Sequence, residues 1–117
     1  MTLDEFFDGY EPSRAIFNAL RESVEAIGPA EMGVSKSQIA FRRRMAFAWA
    51  WVPDRYLRGG HAPLVLSVSL RRHDASPRWK EVVEPSPGRF MHHLELREVG
   101  EIDGEVCQWL AEAYAEA

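Results

Sequence analysis

Apolar residues recur at helical spacing near both ends of the chain. Near the start, a helix opens at Pro12 and stops at Gly28, because proline suits a first turn and glycine ends a helix. Near the end, Asp103 can cap a last helix. The apolar stripes predict buried positions, namely Phe17, Leu20, Val24 and Ile27 in the first helix and Val106, Trp109, Leu110, Ala113 and Tyr114 in the last.

A shorter helix is expected over about residues 3–8, because Thr2 and Glu5 have the spacing of a capping box. The middle of the chain alternates with a period of two, which is typical of β-strands. A turn at Arg42–Arg44 joins the first two strands, unless both form one bent strand, and residues 53–63 form a loop. The expected strands are Lys36 to Arg42, Met45 to Val52, Leu64 to Arg71, Trp79 to Val83 and Phe90 to Arg97.

The second of these strands alternates large apolar residues with small ones, which predicts two largely buried faces. Trp49 and Trp51 are therefore expected in the core. Trp79, which follows Arg78, is expected at a site or an interface.

The order of elements is helix, helix, several strands, helix. Strands linked by short turns pair antiparallel, and helices at the two ends of the chain can pack together on one face of the sheet. The sequence therefore predicts an α+β fold: a two-layer sandwich with an antiparallel sheet of about four to six strands. A chain of 117 residues is expected to form one domain.

Composition and charge limit the classes of partner and the compartment that are expected. The net charge of −4 argues against a nucleic-acid partner, because such domains carry basic excess. No secretory signal or membrane-spanning run is visible, and one cysteine allows no internal disulfide, so a soluble, cytoplasmic protein is expected. A homodimer remains open, because two-fold dimers are common.

The four histidines lack the spacing of metal ligands, so neither a metal nor another cofactor is expected. His92 and His93 are adjacent on a strand and must point to opposite faces. By parity, His92 shares a face with Phe90 and Leu94 and is expected in the core. His93 shares a face with Glu95 and is a candidate for a site.

The segment from Lys36 to Arg44 combines basic and aromatic residues, which can hold an anion by charge-assisted bonds and cation–π contact. A solvated sheet face or edge is the alternative interpretation. With Phe47-Ala48-Trp49 this segment resembles the central block of a small bacterial family of unknown function, numbered 5655. Further likeness lies in Ser76 to Val82, in Met91 to Leu96 and in Val106 to Tyr114.

This resemblance implies a bacterial α+β domain and no known reaction, cofactor or catalytic residue. It carries over Lys36, Arg78 and His93 as candidate ligand-binding residues. We expect a non-enzymatic binding module that recognises an anionic small molecule or a partner protein. One alternative is an enzyme with His93 as general base and Lys36 or Arg78 as electrostatic stabiliser. The other is a structural homodimer.

Overall fold

The computed structural model describes residues 1–57 and 59–117, so position 58 of the predicted 53–63 loop lies outside the described residues. This part of the chain folds into a layer of helices on one six-stranded sheet. The helices are α1 (Leu3–Phe6), α2 (Glu11–Ile27) and α3 (Gly104–Glu116). The strands are β1 (Glu31–Val34), β2 (Ile39–Arg42), β3 (Ala46–Trp51), β4 (Leu64–Leu70), β5 (Glu81–Ser86) and β6 (Arg89–Leu96).

The sheet is antiparallel throughout, with the strand order β1-β2-β3-β4-β6-β5. Strands β3 and β4 lie at its centre, and both α2 and α3 pack on one face of it. The predicted α+β sandwich is confirmed, with N-terminal and C-terminal helices together on the same side.

The core lies between this helix layer and the sheet. The helix stripes contribute Phe17, Leu20, Val24, Trp109 and Leu110 to it, as predicted, and the sheet contributes Phe47, Leu66, Val68 and Leu94. Ile27 and Tyr114, which were also predicted to be buried, are partly buried against it. Phe47 reaches this side of the sheet because the pairing of β2 with β3 slips by one residue there, which places Phe47 and its neighbour Ala48 both in the core.

Hydrogen bonds and a close contact stabilise the ends of α2 and α3. Asp103 accepts a hydrogen bond from the Val106 N–H at the start of α3, as the sequence predicted. The Tyr114 hydroxyl donates to the Pro29 carbonyl, 2.9 Å away, just beyond the end of α2. A Cβ at Gly28 would lie 2.6 Å from the Tyr114 hydroxyl oxygen, so only glycine allows this approach.

The basic turn between β2 and β3 lies against the carboxyl end of α3. Arg43 donates to the Tyr114 carbonyl and stacks over its ring, with the guanidinium carbon 4.6 Å from the ring centroid. Arg44 donates to the Ala117 carbonyl. Because the last carbonyls of a helix lack internal partners and carry partial negative charge, these arginines stabilise the helix end.

Some strand boundaries differ from the prediction. The strand β1 was not predicted. The strand β2 begins at Ile39 and not at Lys36, because Ser35 forms a tight turn in which its hydroxyl accepts a hydrogen bond from the Gln38 N–H. Lys36 therefore lies in a turn and not on a strand. The strand β5 begins at Glu81 and continues through Pro85. It lies at the edge of the sheet, where a proline is tolerated because an outward-facing N–H would have no partner strand.

Candidate functional site

Within the described residues, α2 and α3 pack on one face of the sheet only, and we call the other face the open face. The register aligns one row of residues across five strands on this face. In strand order the row is Ala40, Trp49, Ser67, His93 and Glu81. Trp51, Val65 and Glu95 lie one row to one side of it, and Ser69, Met91 and Val83 lie one row to the other.

Two tryptophans of β3 dominate the open face. Trp49 and Trp51 are half-buried, whereas their neighbours Ala48 and Ala50 are fully buried beneath the helices. Both tryptophans were predicted to lie in the core, and this prediction was wrong. Alanine on the helix side lets α3 approach β3 closely, and the large rings alternate to the side without helices.

His93 is tied to the neighbouring strand by a short hydrogen bond. Its Nδ1 lies 2.7 Å from the Ser67 hydroxyl oxygen, and either atom can donate. Burial lowers the pKa of His93 below its usual value, while the Glu81 carboxylate in the same row opposes that shift. The imidazole is therefore neutral at pH 7, and its orientation on the open face is fixed by Ser67.

Two cavities adjoin His93 and Trp51, one on each side. The first has a volume of about 330 Å³ and is lined also by Gln38, Trp49, Ser67 and Met91, all of them uncharged. The second has a volume of about 200 Å³ and is lined also by Pro53, Leu57, His61, Val65, Lys80, Glu81 and Glu95. Together the cavities form a depression with an aromatic wall along the centre of the open face.

The charges at this depression are mixed. Lys80 lies 3.5 Å and Arg97 3.8 Å from the same carboxylate oxygen of Glu95. Glu81 forms no ion pair or hydrogen bond through its carboxylate within residues 1–57 and 59–117. Among the described residues, one carboxylate of the second cavity therefore has two cationic partners and the other has none.

Of the three candidate ligand-binding residues, Lys36, Arg78 and His93, only His93 lines this depression. Lys36 is exposed in the β1–β2 turn, where its carbonyl accepts from the Tyr56 hydroxyl. Arg78 precedes β5 in the chain and packs against the start of α3, where it donates hydrogen bonds to Asp103 and Glu105 and stacks over Trp109. The structure does not bring the three together, because Arg78 is held on the helix side by carboxylates from α3 and its cap.

His92 has the buried role that its parity predicted. Its Nε2 accepts from the Asp74 N–H, 3.0 Å away, so its Nδ1 carries the proton and faces the carbonyls of Val68 and Phe90. Trp79 packs beside it and against Trp109, with 4.1 Å between the two tryptophan ring centroids. Trp79 was predicted at a site or an interface, but it is buried, so this prediction was wrong.

The described residues contain no group of three or more side chains that could hold a metal ion. The first cavity offers aromatic surface, an imidazole, a hydroxyl and an amide. These groups can stack on a ligand and form hydrogen bonds with it.

Comparison with known proteins places the chain in a family. Residues 3–117 match the family described as "Domain of unknown function (DUF5655)". The chain belongs to this family. No curated protein and no solved structure matches this chain. The family match confirms the resemblance stated from the sequence.

Among the described residues, no helix has the length and apolar character needed to cross a membrane.

Sequence reasoning missed the two tryptophans, Ser67 and the second cavity. The tryptophans were missed because both faces of β3 are apolar, so the alternation alone does not show which face the helices cover. Ser67 alternates with the core residues Leu66 and Val68 along β4, but nothing in the sequence pairs it with a residue 26 positions later. That pairing depends on the register of β4 with β6.

Proposed function

We propose that DUF5655 in this chain is a non-enzymatic binding module that docks a partner protein on the open face. The observation that carries the proposal is the pair of half-buried tryptophans aligned with His93 over two adjoining cavities. Tryptophan is enriched among the residues that contribute most to protein interfaces, since its large ring buries much area at little entropic cost.

The charges favour a partner with basic segments. The chain carries a net charge of −4, and the Glu81 carboxylate beside the second cavity has no counter-ion within the described residues. An anionic small molecule, the other ligand that the sequence suggested, receives less support. Lys80, which lines the second cavity, is already engaged with Glu95.

The enzymatic alternative also receives less support. His93 has a hydroxyl partner in Ser67, but neither Lys36 nor Arg78 lies beside it to stabilise developing charge. Ser67 is buried, with 5% of its surface exposed, and it sits inside the hydrogen-bonded ladder of β4 with β6. Its neighbouring backbone N–H groups are therefore used within the sheet and cannot form an oxyanion hole.

Peptides selected from a random display library against the full chain test the proposal. We expect the synthesised peptides to shift the NMR signals of open-face residues, and Trp49→Ala to weaken their binding at least about tenfold. Val99→Ala removes an exposed apolar side chain outside the face and serves as the control. Circular dichroism confirms that each variant is folded.

Three outcomes would overturn the proposal. One is a selection that yields no binder. Another is a set of peptides whose affinity is the same for Trp49→Ala and for Val99→Ala. The third is a dimer, detected by light scattering of the free chain, that Trp49→Ala dissociates. In that case the open face is occupied by a second copy, and the homodimer hypothesis replaces the partner protein.

A further inference from the structure

The second cavity, beside His93, has walls suited to an aliphatic chain. Trp51, Pro53, Leu57 and Val65 border it from three segments of the fold: β3, the loop after it and β4. Val65 is buried, with 5% of its surface exposed, whereas Leu57 at the rim is 48% exposed. The cavity, of about 200 Å³, therefore has an apolar floor that opens to solvent past Leu57.

Two of the three charged residues that line the same cavity are carboxylates, Glu81 and Glu95, and the third is Lys80. Glu95 has two cationic partners, because Lys80 lies 3.5 Å and Arg97 3.8 Å from its carboxylate. Glu81, one strand further out on β5, lines the cavity without a counter-ion in the described part of the chain. His93 adds no positive charge, because its imidazole is neutral. An apolar floor that leads to a carboxylate without a counter-ion among the described residues matches a side chain with an apolar stem and a cationic end.

We propose that this cavity receives an arginine or lysine side chain of the partner protein, with its stem along Trp51 and Val65 and its charge at Glu81. This inference rests on the proposed function and adds to it the chemical class of the residue that the partner must present. The Trp51 ring borders the cavity, so the cation can also bind over an aromatic face. Desolvation by the apolar walls strengthens both interactions relative to open solvent.

A pair of probes that differ only in charge isolates the proposed interaction. N-acetyl-argininamide and N-acetyl-citrullinamide have nearly the same shape, but only the first carries a cationic guanidinium. Each is titrated into the full chain while NMR follows the Trp51 indole N–H and the His93 imidazole. We expect the arginine probe to bind roughly three- to tenfold more tightly, the range that one ion pair and one cation–π contact supply.

The Glu81→Gln variant keeps the size of the side chain and removes its charge. It is expected to abolish the preference for the arginine probe and to leave the citrulline probe unchanged. Glu22→Gln removes an exposed carboxylate of α2, on the helix side, and is the matched control that keeps the preference. Equal affinities of the two probes, a preference that survives Glu81→Gln, or no binding of either probe would each overturn the inference.

The peptides selected on the open face separate this result from a failure of the proposed function. If they lose affinity in Trp49→Ala but tolerate citrulline in place of every arginine and norleucine in place of every lysine, the docking surface stands and the basic-residue cavity is refuted. If they ignore Trp49→Ala, the proposed function itself fails, whatever the small probes do.

Discussion

Asp74 is expected to stabilise the folded state through its hydrogen bonds at the edge of the core. Its carboxylate accepts hydrogen bonds from the Trp79 indole N–H at 2.9 Å, from Arg72 at 2.8 Å and from the Ser76 N–H at 3.1 Å. Its own N–H donates to the buried His92. Removal of the carboxylate by Asp74→Ala therefore leaves the indole N–H of a buried tryptophan without an acceptor.

The magnitude of the loss can be worked out in two ways from the same contacts. A buried donor without a partner costs about 1–3 kcal/mol, and the lost ion pair with the half-exposed Arg72 adds less than about 1 kcal/mol. The second route is the pKa of Asp74. Burial alone would raise it, but the hydrogen bonds from Trp79, Arg72 and Ser76 lower it from 3.8 to about 2. That shift corresponds to about 2 kcal/mol, in line with the first route.

Urea unfolding of wild type and Asp74→Ala checks this value, and we expect a difference of about 2–3 kcal/mol at pH 7. Asp8→Ala, in the exposed turn after α1, is the control and should change stability by less than about 0.5 kcal/mol. Because the folded pKa lies below the unfolded one, the stabilisation is complete above about pH 4 and is lost as the pH falls towards 2. A variant as stable as wild type at pH 7, or a difference that does not shrink in acid, would refute the reasoning.

Two further predictions concern residues on the helix side. Arg78→Ala removes the contacts to Asp103, Glu105 and Trp109 and is expected to cost about 1–2 kcal/mol in thermal unfolding, with peptide binding at the open face unchanged; the reverse pattern would restore Arg78 as a ligand residue. Burial lowers the pKa of His92 below 6.5 against the opposing Asp74 carboxylate, and nearby His73 lowers it further, so NMR should show its imidazole titrating below that value. The unfolded chain then binds more protons, and stability should fall as the pH drops below about 6.5; a midpoint above 6.5 would contradict this.

The sequence alone determined the core and the helix layer. Phe17, Leu20 and Val24 lie on one stripe because a helix repeats every 3.6 residues, and the alternation of β4 places Leu66 and Val68 inside. The parity of the histidine pair also followed without a structure, since neighbours on a strand must face opposite ways. These features depend on local geometry, which the order of residues fixes.

The open face was decided by tertiary structure. Both faces of β3 are apolar, so the sequence does not show which one the helices cover. The helix layer settles that choice through the close approach to Ala48 and Ala50, and it leaves Trp49 and Trp51 on the other side. The contact of Ser67 with His93 likewise exists only because β6 inserts between β4 and β5.

The fate of the basic residues shows the same limit. Arg43, Arg44 and Arg78 carry the charges of an anion site in the linear sequence. In the fold they meet the carbonyls at the end of α3 and the carboxylates at its start. A charge binds whichever opposite charge lies within a few ångströms. That neighbour comes from residues 25 to 73 positions away, so spacing along the chain could not reveal it.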